Sequence, residues 1–257
     1  MSEEFIAEAT LGEKNLKATI EPDQKIHPWR ICPIGTHLVK EHALHVPPSK
    51  KHPEGLTVTR HQHCANNPSK KDLLTFEEIQ QMSGQHFRDL IGPPSSGMLK
   101  FKNADKFDHL IRGWVHYWND IFNPIDRLDP NLIKALIATE SGFDTTAQNV
   151  IKKVHARGLM QIVEVTHTAI GNHKGELRNY LIQVSVNELF DPSVGICIGV
   201  RWLFRKKETA SHKLHRDATW FEVVADYKDY LNKIIDGKEY NHKPLDDLLD
   251  YYSKLVE

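Results

Sequence analysis

The sequence lacks a long hydrophobic segment, since no apolar run among its 257 residues approaches the ~20 residues of a membrane-spanning helix. It also lacks the apolar core of a signal peptide, because the N-terminus reads Met1-Ser2-Glu3-Glu4-Phe5 and is acidic. We therefore expect no membrane span. We also expect synthesis in the cytoplasm without a classical export signal.

An excess of one charge is absent as well. The chain carries 33 lysines and arginines against 34 aspartates and glutamates, which indicates neither a nucleic-acid-binding surface nor an acidic tail. There are no internal repeats and no low-complexity tract. The length is sufficient for one large globular domain or two smaller ones, each with its own core.

Cysteine is scarce, and the three that occur (Cys32, Cys64 and Cys197) predict no disulfide framework. His61-Gln62-His63-Cys64 has side chains that suit zinc, but the paired Cys-x-x-Cys or His-x-x-x-His spacing of a zinc site is missing. We therefore expect no metal and no cofactor. His61, His63 and Cys64 remain the only metal candidates, and histidines on polar loops are the preferred interpretation.

The composition changes along the first part of the chain. Residues 26–71 hold seven of the sixteen histidines and six prolines without helical periodicity, which predicts a loop-rich, irregular structure. Residues 4–20 favour a short hairpin. A Gly-Pro-Pro-Ser-Ser-Gly stretch at residues 92–97 is the best candidate boundary. The predicted organisation is an N-terminal module of unknown role, residues 1–95, followed by a second domain, residues 96–257.

Helical patterns dominate the rest of the chain. Capping boxes at Thr75 and Thr219 predict helices that run toward Phe87 and Ile234. Aromatic and aliphatic residues between positions 107 and 122 recur at helical spacing and predict a core face. Further helices are predicted over residues 177–184, 192–205 and from 244 onward. The fold class is therefore mainly α.

Glu140 ends the best-punctuated of these helices. Asp129 is a good N-cap, Pro130 suits the first turn and Gly142 marks the stop. Glu140 falls on the apolar face of the helix and in its last turn, where burial and the helix dipole both disfavour negative charge. Both effects predict a raised pKa, as a general acid requires. The alternative is a glutamate whose carboxylate reaches solvent past the helix end.

Glu140 is the first residue of a motif, and a second motif follows it in the chain. The first reads Glu140-Ser141-Gly142-Phe143, and the second, Gly-Leu-Met-Gln-Ile, occupies residues 158–162. In this order and spacing they resemble the soluble-type lytic transglycosylases, whose Glu-Ser-x-Phe motif carries the catalytic Glu. In that family a Gly-Leu-Met-Gln motif lines the cleft.

Two later stretches extend the resemblance to roughly residues 105–235. The segment after Asp191-Pro192 is similar to the helix that packs behind the site in that family, and Tyr227 stands at the Tyr of its Ala-Tyr-Asn-Ala-Gly motif. The resemblance implies a lysozyme-like helical domain. It implies Glu140 as the catalytic residue and Ser141, Met160, Gln161 and Tyr227 as residues that contact substrate.

The sequence departs from the family pattern at three places, and one of them is the absence of the proline expected after Gln161. The stretch from Asn149 to Gly158 is a few residues longer than usual, and His155 replaces a glycine. After Tyr227 the chain continues with Lys228, Asp229 and Tyr230, where the family has Asn, Ala and Gly.

The resemblance implies cleavage of peptidoglycan between N-acetylmuramic acid and N-acetylglucosamine, with 1,6-anhydro ends. One Glu would serve first as acid and then as base. Two alternatives remain open. A hydrolytic lysozyme on the same scaffold would need a water-activating carboxylate that the sequence does not identify. A non-catalytic glycan-binding or structural module is the other, and the changes after Tyr227 are its best support.

The expected partners are peptidoglycan glycan strands and no nucleic acid. A wall-cleaving domain without an export signal needs another route to the wall. We therefore expect a phage particle, a secretion machine or a contractile injection system to deliver the protein.

Overall fold

The structure is a computed structural model that describes residues 29–68, 71–151, 154–177 and 179–257. The hairpin predicted within residues 4–20 lies outside these residues. The described part contains eight α-helices and nine short strands, and the prediction of a mainly α fold is confirmed. None of the described helices combines the length and the apolar character that crossing a bilayer requires.

The helices, in chain order, are α1 (Phe76–His86), α2 (Asp108–Phe122), α3 (Pro130–Glu140), α4 (Glu164–Gly171), α5 (Pro192–Leu214), α6 (Trp220–Tyr227), α7 (Leu231–Ile235) and α8 (Lys243–Val256). The strands are β1 (Thr36–Val39), β2 (His42–Val46), β3 (Leu56–Arg60), β4 (His63–Asn66), β5 (Leu73–Thr75), β6 (Gln148–Ile151), β7 (Val154–Arg157), β8 (Ile162–Val163) and β9 (Leu181–Gln183). A 3₁₀ turn, Val186–Phe190, precedes α5.

The N-terminal module contains two antiparallel strand pairs, β1 with β4 and β2 with β3. Cys32 and Cys64 form a disulfide across a sequence separation of 32 residues, a single bond that the expectation of no disulfide framework did not include. Closing a loop of this length stabilises a fold by about 3–4 kcal/mol in the chain-entropy model. Cys64 therefore has no thiolate to offer zinc, and the described residues hold no group of three or more metal-ligating side chains.

Strand β5 and helix α1 connect this module to the rest of the molecule. β5 pairs in parallel with β9, with Leu73 opposite Leu181. The buried Arg30 guanidinium forms ion pairs with Asp72 and Glu78, and it donates to the Leu73 carbonyl at 2.9 Å. The boundary at residue 95 stays a prediction, but the chain on its two sides shares one core.

The core of the second half lies between α2 and α5. Trp114 and Trp118 are fully buried, and their indole N–H groups donate to Ser193 Oγ at 2.9 Å and the Cys197 carbonyl at 3.0 Å. The prediction that the aromatic stripe of α2 is a core face is confirmed.

Three predicted helices differ from the structure, one in type and two in extent. Residues 177–184 contain β9 instead of a helix, because a short apolar run does not distinguish the two by periodicity and the pairing with β5 decides it. The helix predicted over residues 192–205 is α5, which continues to Leu214.

The helix predicted to reach Ile234 also ends early, at Tyr227. There the Tyr230 N–H donates back to the Ala225 carbonyl at 2.8 Å, and Asp229 adopts a left-handed backbone with φ of 61°. This is a Schellman ending with aspartate at the position that glycine usually takes. The chain resumes as α7, and the break turns the residue after Tyr227 toward α3.

Candidate active site

Helix α3 presents Glu140 at its C-terminal end. The Asp129 carboxylate caps the start of the helix by accepting from the Asn131 N–H at 2.8 Å, as predicted. Residues 130–138 are buried, so the helix runs through the core and emerges at Glu140, whose side chain is 16% exposed. The carboxylate is therefore held on a rigid element at the edge of the core.

A turn between β7 and β8 carries the second motif. Gly158 has φ of +71°, and a Cβ there would lie 2.2 Å from the Leu189 carbonyl oxygen, so only glycine fits. Met160 is fully buried and packs against α5, where a Cβ on Gly199 would meet its sulfur at 2.2 Å. The Met160 side chain thus packs in the core, and the substrate contact that the sequence predicts for it stays a prediction.

The Gln161 amide is engaged inside the protein. Its Nε2 donates to the carbonyls of Ala147 at 3.2 Å and Gly158 at 2.9 Å, and its Oε1 accepts from Asn149 Nδ2 at 2.8 Å. Both donors and one acceptor position are therefore occupied. In this arrangement Gln161 fastens the motif turn to β6.

Ser141 and Tyr227 join the same turn to α3 and α6. The Ser141 hydroxyl donates to the Leu159 carbonyl at 2.9 Å, and the Tyr227 hydroxyl donates to the Met160 carbonyl at 2.6 Å. The four predicted substrate residues therefore lie together around Glu140's helix end. Their polar atoms serve mainly to hold the motif turn in place.

The longer stretch between the two motifs is a hairpin. β6 and β7 pair antiparallel, with Asn149 opposite Ala156, and β8 adds a third strand to this small sheet. The length difference from the family pattern is thus accounted for by a β extension beside the motif turn. His155 lies within β7, with its Nδ1 3.5 Å from Gln148 Nε2.

Lys228 is a site residue that no sequence motif predicts. It follows directly after α6, and its ammonium group forms an ion pair with the Glu140 carboxylate. The Lys228 side chain is only 7% exposed. The replacement of the family's asparagine after Tyr227 is the sequence signal that points to Lys228. Nothing in the sequence shows that the Lys228 side chain reaches α3.

These site residues lie within a region of the chain that matches a known protein family. Residues 123–248 match the family described as Transglycosylase SLT domain. Residues 123–248 form an SLT domain. The match begins directly after α2, contains both motifs and ends within α8, so it agrees with the resemblance seen in the sequence. No curated protein matches the chain.

The SLT domain is lysozyme-like and helical, which confirms the predicted fold, and residues before the match remain without a recognised family. At the level of the family, the match supports an enzyme of the lytic transglycosylase class with peptidoglycan as substrate. Within the SLT domain lie Glu140, the motif turn and the Tyr227-Lys228 pair.

Electrostatics in the SLT domain keep Tyr227 protonated. Burial raises the pKa of the Tyr227 hydroxyl well above its usual value, and the negative charge of Glu140 raises it further. The hydroxyl therefore remains a hydrogen-bond donor to the Met160 carbonyl at any pH near neutrality. Tyr227 can accept a further hydrogen bond, but it cannot readily supply a proton.

A surface groove of about 570 Å³ lies elsewhere, between β1, the start of α1 and the segment after β9. Its lining includes His37, Leu38, Phe76 and Glu188, and none of the predicted site residues. The groove alone identifies no chemistry. The candidate active site is therefore defined by the motif residues of the SLT domain and not by the groove.

Proposed function

We propose that the protein cleaves the glycosidic bond between N-acetylmuramic acid and N-acetylglucosamine in peptidoglycan and leaves 1,6-anhydro ends. The observation that carries the proposal is the position of Glu140 in an SLT domain. Around it, Ser141, Gln161 and Tyr227 bond to backbone or side-chain groups of the protein. Glu140 has a titratable oxygen pair at the partly exposed end of a buried helix.

The reaction uses Glu140 twice. Protonated Glu140 donates its proton to the glycosidic oxygen, the C1–O bond breaks, and the N-acetyl group of the muramic residue stabilises the cationic centre. The resulting carboxylate then takes the proton of the C6 hydroxyl while that oxygen bonds to C1. The proton returns to Glu140 and no water is consumed.

The surroundings favour this single-residue scheme over hydrolysis with two carboxylates. Asp144 is exposed and accepts from the N–H and hydroxyl of Thr146 at 2.8 and 2.7 Å, as the cap of a turn. These bonds lower the pKa of Asp144. Glu164 is exposed at the start of α4. Neither residue has the largely buried position of Glu140 at the C-terminal end of a core helix.

In the proposed enzyme, Ser141, Gln161 and Tyr227 act chiefly by fixing the turn that shapes the cleft, and Met160 contributes its carbonyl to that framework. Gln161 could donate to a glycan only by giving up an internal bond, but its Oε1 keeps one lone pair that could accept from a glycan hydroxyl. A glycan oxygen could instead donate to the remaining lone pairs of the Tyr227 hydroxyl.

The test is digestion of purified cell-wall sacculi, with mass analysis of the soluble muropeptides. Anhydro-muropeptides released by the wild type would support the proposal. Reducing ends would instead identify a hydrolytic lysozyme. Sedimentation of the protein with sacculi without any soluble product would identify a glycan-binding module.

The proposed place of action is the cell wall or periplasm, reached by delivery through a phage particle, a secretion machine or an injection system. The Cys32–Cys64 disulfide supports an oxidising environment, since such bonds rarely persist in the cytosol. Expression of the protein alone in intact cells tests the delivery idea. Recovery of the protein from the periplasm would show that no delivery component is needed.

A further inference from the structure

The Glu140 carboxylate does not stand alone at the end of α3. Lys228 Nζ bonds to Glu140 Oε1, and among the described residues neither group has another hydrogen-bond partner in the protein. The two side chains are 7% and 16% exposed, so the pair is largely withdrawn from solvent. An ion pair in such a place is stronger than the same pair on the surface.

The ammonium group retains hydrogen-bonding capacity. A lysine ammonium has three N–H donors, and Lys228 uses one of them on a protein acceptor in the described residues. Lys134, on the same helix as Glu140, uses all three, on Ser95, Asp105 and Asp108. Lys228 can therefore keep its bond to Glu140 while a glycan oxygen accepts a second one.

Two physical effects on the carboxylate oppose each other. Burial and the helix C-terminus disfavour the negative charge on Glu140, while the Lys228 ammonium favours it. A proton donor must be neutral before it acts and charged afterwards. Lys228 therefore stabilises the carboxylate that remains after Glu140 has donated its proton.

Resting on the proposed function, we propose that Lys228 is a positioning residue for the cleavage reaction. Its ammonium group orients the Glu140 carboxylate, and its positive charge sets the alkaline limit of glycan cleavage. The replacement of the family's asparagine by Lys228 then represents a change in the working pH of the site and not its decay.

The titratable groups on neighbouring elements have other partners. On α6, Tyr227 stays protonated and bonded to Met160, and Asp226 is paired with two lysines of α5. Beside the motif turn, Asp144 caps its own turn. Lys228 is thus the charged group that the described structure brings against Glu140.

The first test measures the release of soluble muropeptides from sacculi between pH 4 and pH 9 for wild type, Lys228→Met and Lys228→Arg. We expect the rate to fall on the alkaline side, and this limb should move by about one pH unit or more toward higher pH in Lys228→Met. The acidic plateau should fall about tenfold through poorer positioning. Lys228→Arg keeps the charge and should restore the wild-type limb.

The second test needs no substrate. The ¹³C-carboxyl signal of Glu140, assigned by its absence from Glu140→Gln, is followed against pH in folded wild type and Lys228→Met. The midpoint should lie at higher pH in the variant, because the stabilising cation has been removed.

The two tests distinguish failure of the role of Lys228 from failure of the proposed function. Coincident alkaline limbs, or coincident carboxyl midpoints, in wild type and Lys228→Met would overturn the role of Lys228 even if the wild type cleaves glycan. If Lys228→Met has a lower acidic plateau but the same alkaline limb as wild type, the proposed role of Lys228 is overturned too. That result is what a purely structural role would give. A wild type that releases no fragments at any pH would overturn the proposed function itself. The carboxyl titration would still show whether Lys228 acts on the Glu140 carboxylate.

Discussion

Two lysine–carboxylate clusters involve helix α3, and they differ in how many of the lysine's hydrogen-bond donors have acceptors in the protein. Lys134 in the middle of the helix is completely buried and donates to the Ser95 carbonyl at 2.7 Å, Asp105 at 2.6 Å and Asp108 at 3.0 Å. Glu140, at the end of the same helix, has Lys228 alone. The first cluster binds the segment before α2 and the start of α2 to α3, whereas the second lies at the partly exposed end of α3.

The difference indicates how a structural ion pair can be told from a reactive one. In the Lys134 cluster all three ammonium donors have acceptors, and Asp108 also accepts from the Ser96 hydroxyl at 2.7 Å, so the lysine has no donor left for a ligand. In the Glu140 pair, capacity remains on both partners. A third cluster, of Asp226 with Lys206 and Lys213, resembles the first, because it joins α6 to α5.

The largest loss of stability should follow Lys134→Met. The variant leaves the buried Asp108 carboxylate without its cation, which costs about 3–5 kcal/mol when one partner of a buried pair is removed. Urea denaturation followed by circular dichroism measures the free energy of unfolding. A loss below about 1 kcal/mol would mean that this cluster is no more structural than the Glu140 pair.

A smaller loss, about 1–3 kcal/mol, should follow Asp226→Asn, because the two lysines can reach solvent once released. Burial alone would raise the pKa of Asp226, but hydrogen bonds and charge from Lys213 and Lys206 lower it below the usual 3.8. The folded-state pKa thus lies below the unfolded one, so the cluster stabilises the fold above pH 3.8 and the gain disappears at lower pH.

The pH dependence separates this effect from a simple packing loss. The difference in unfolding free energy between wild type and Asp226→Asn should shrink as the pH falls below 3.8. A difference that is constant with pH would show that the aspartate charge contributes nothing.

The smallest loss of stability should follow Lys228→Met, at about 1 kcal/mol or less. Glu140 lies at a partly exposed helix end, where solvent can stabilise its carboxylate once the cation is gone, and this limits the cost. Thermal unfolding at pH 5 and pH 8 measures this. A loss as large as that of Lys134→Met would place the Glu140 pair among the structural clusters.

The sequence predicts the centre of the site well, because its signals are local. The caps and buried face of α3 follow from residues within one helix, and the two motifs lie within about 20 residues of each other, which is enough to locate Glu140 and the SLT domain. The aromatic face of α2 is a periodic signal of the same local kind.

The remaining features depend on contacts between distant residues. Lys228 meets Glu140 across 88 positions only because α6 ends at Tyr227, and that ending uses aspartate where a glycine would have been recognisable. Strand β9 exists through its pairing with β5, and Cys32 meets Cys64 through the pairing of β1 with β4. No pattern within a single segment contains this information.

The roles of the motif residues Met160 and Gln161 also depend on contacts that the fold creates. The residue types of Met160 and Gln161 suggest substrate contacts, but a side chain's partners are set by the fold around it. Here Met160 fills the space above Gly199, and Gln161 binds the turn to β6. Their predicted substrate contacts remain predictions.

The most direct test of the central claim is one comparison of two matched carboxyl-to-amide variants, Glu140→Gln and Asp108→Asn. The measurement is the rate of anhydro-muropeptide release per folded molecule, with the folded fraction taken from urea denaturation. Glu140→Gln should lose at least about 100-fold in rate while its unfolding free energy stays within about 1 kcal/mol of wild type. Asp108→Asn should lose about 2–3 kcal/mol of stability and keep its rate within about twofold. Release by Glu140→Gln at the wild-type rate would contradict the account.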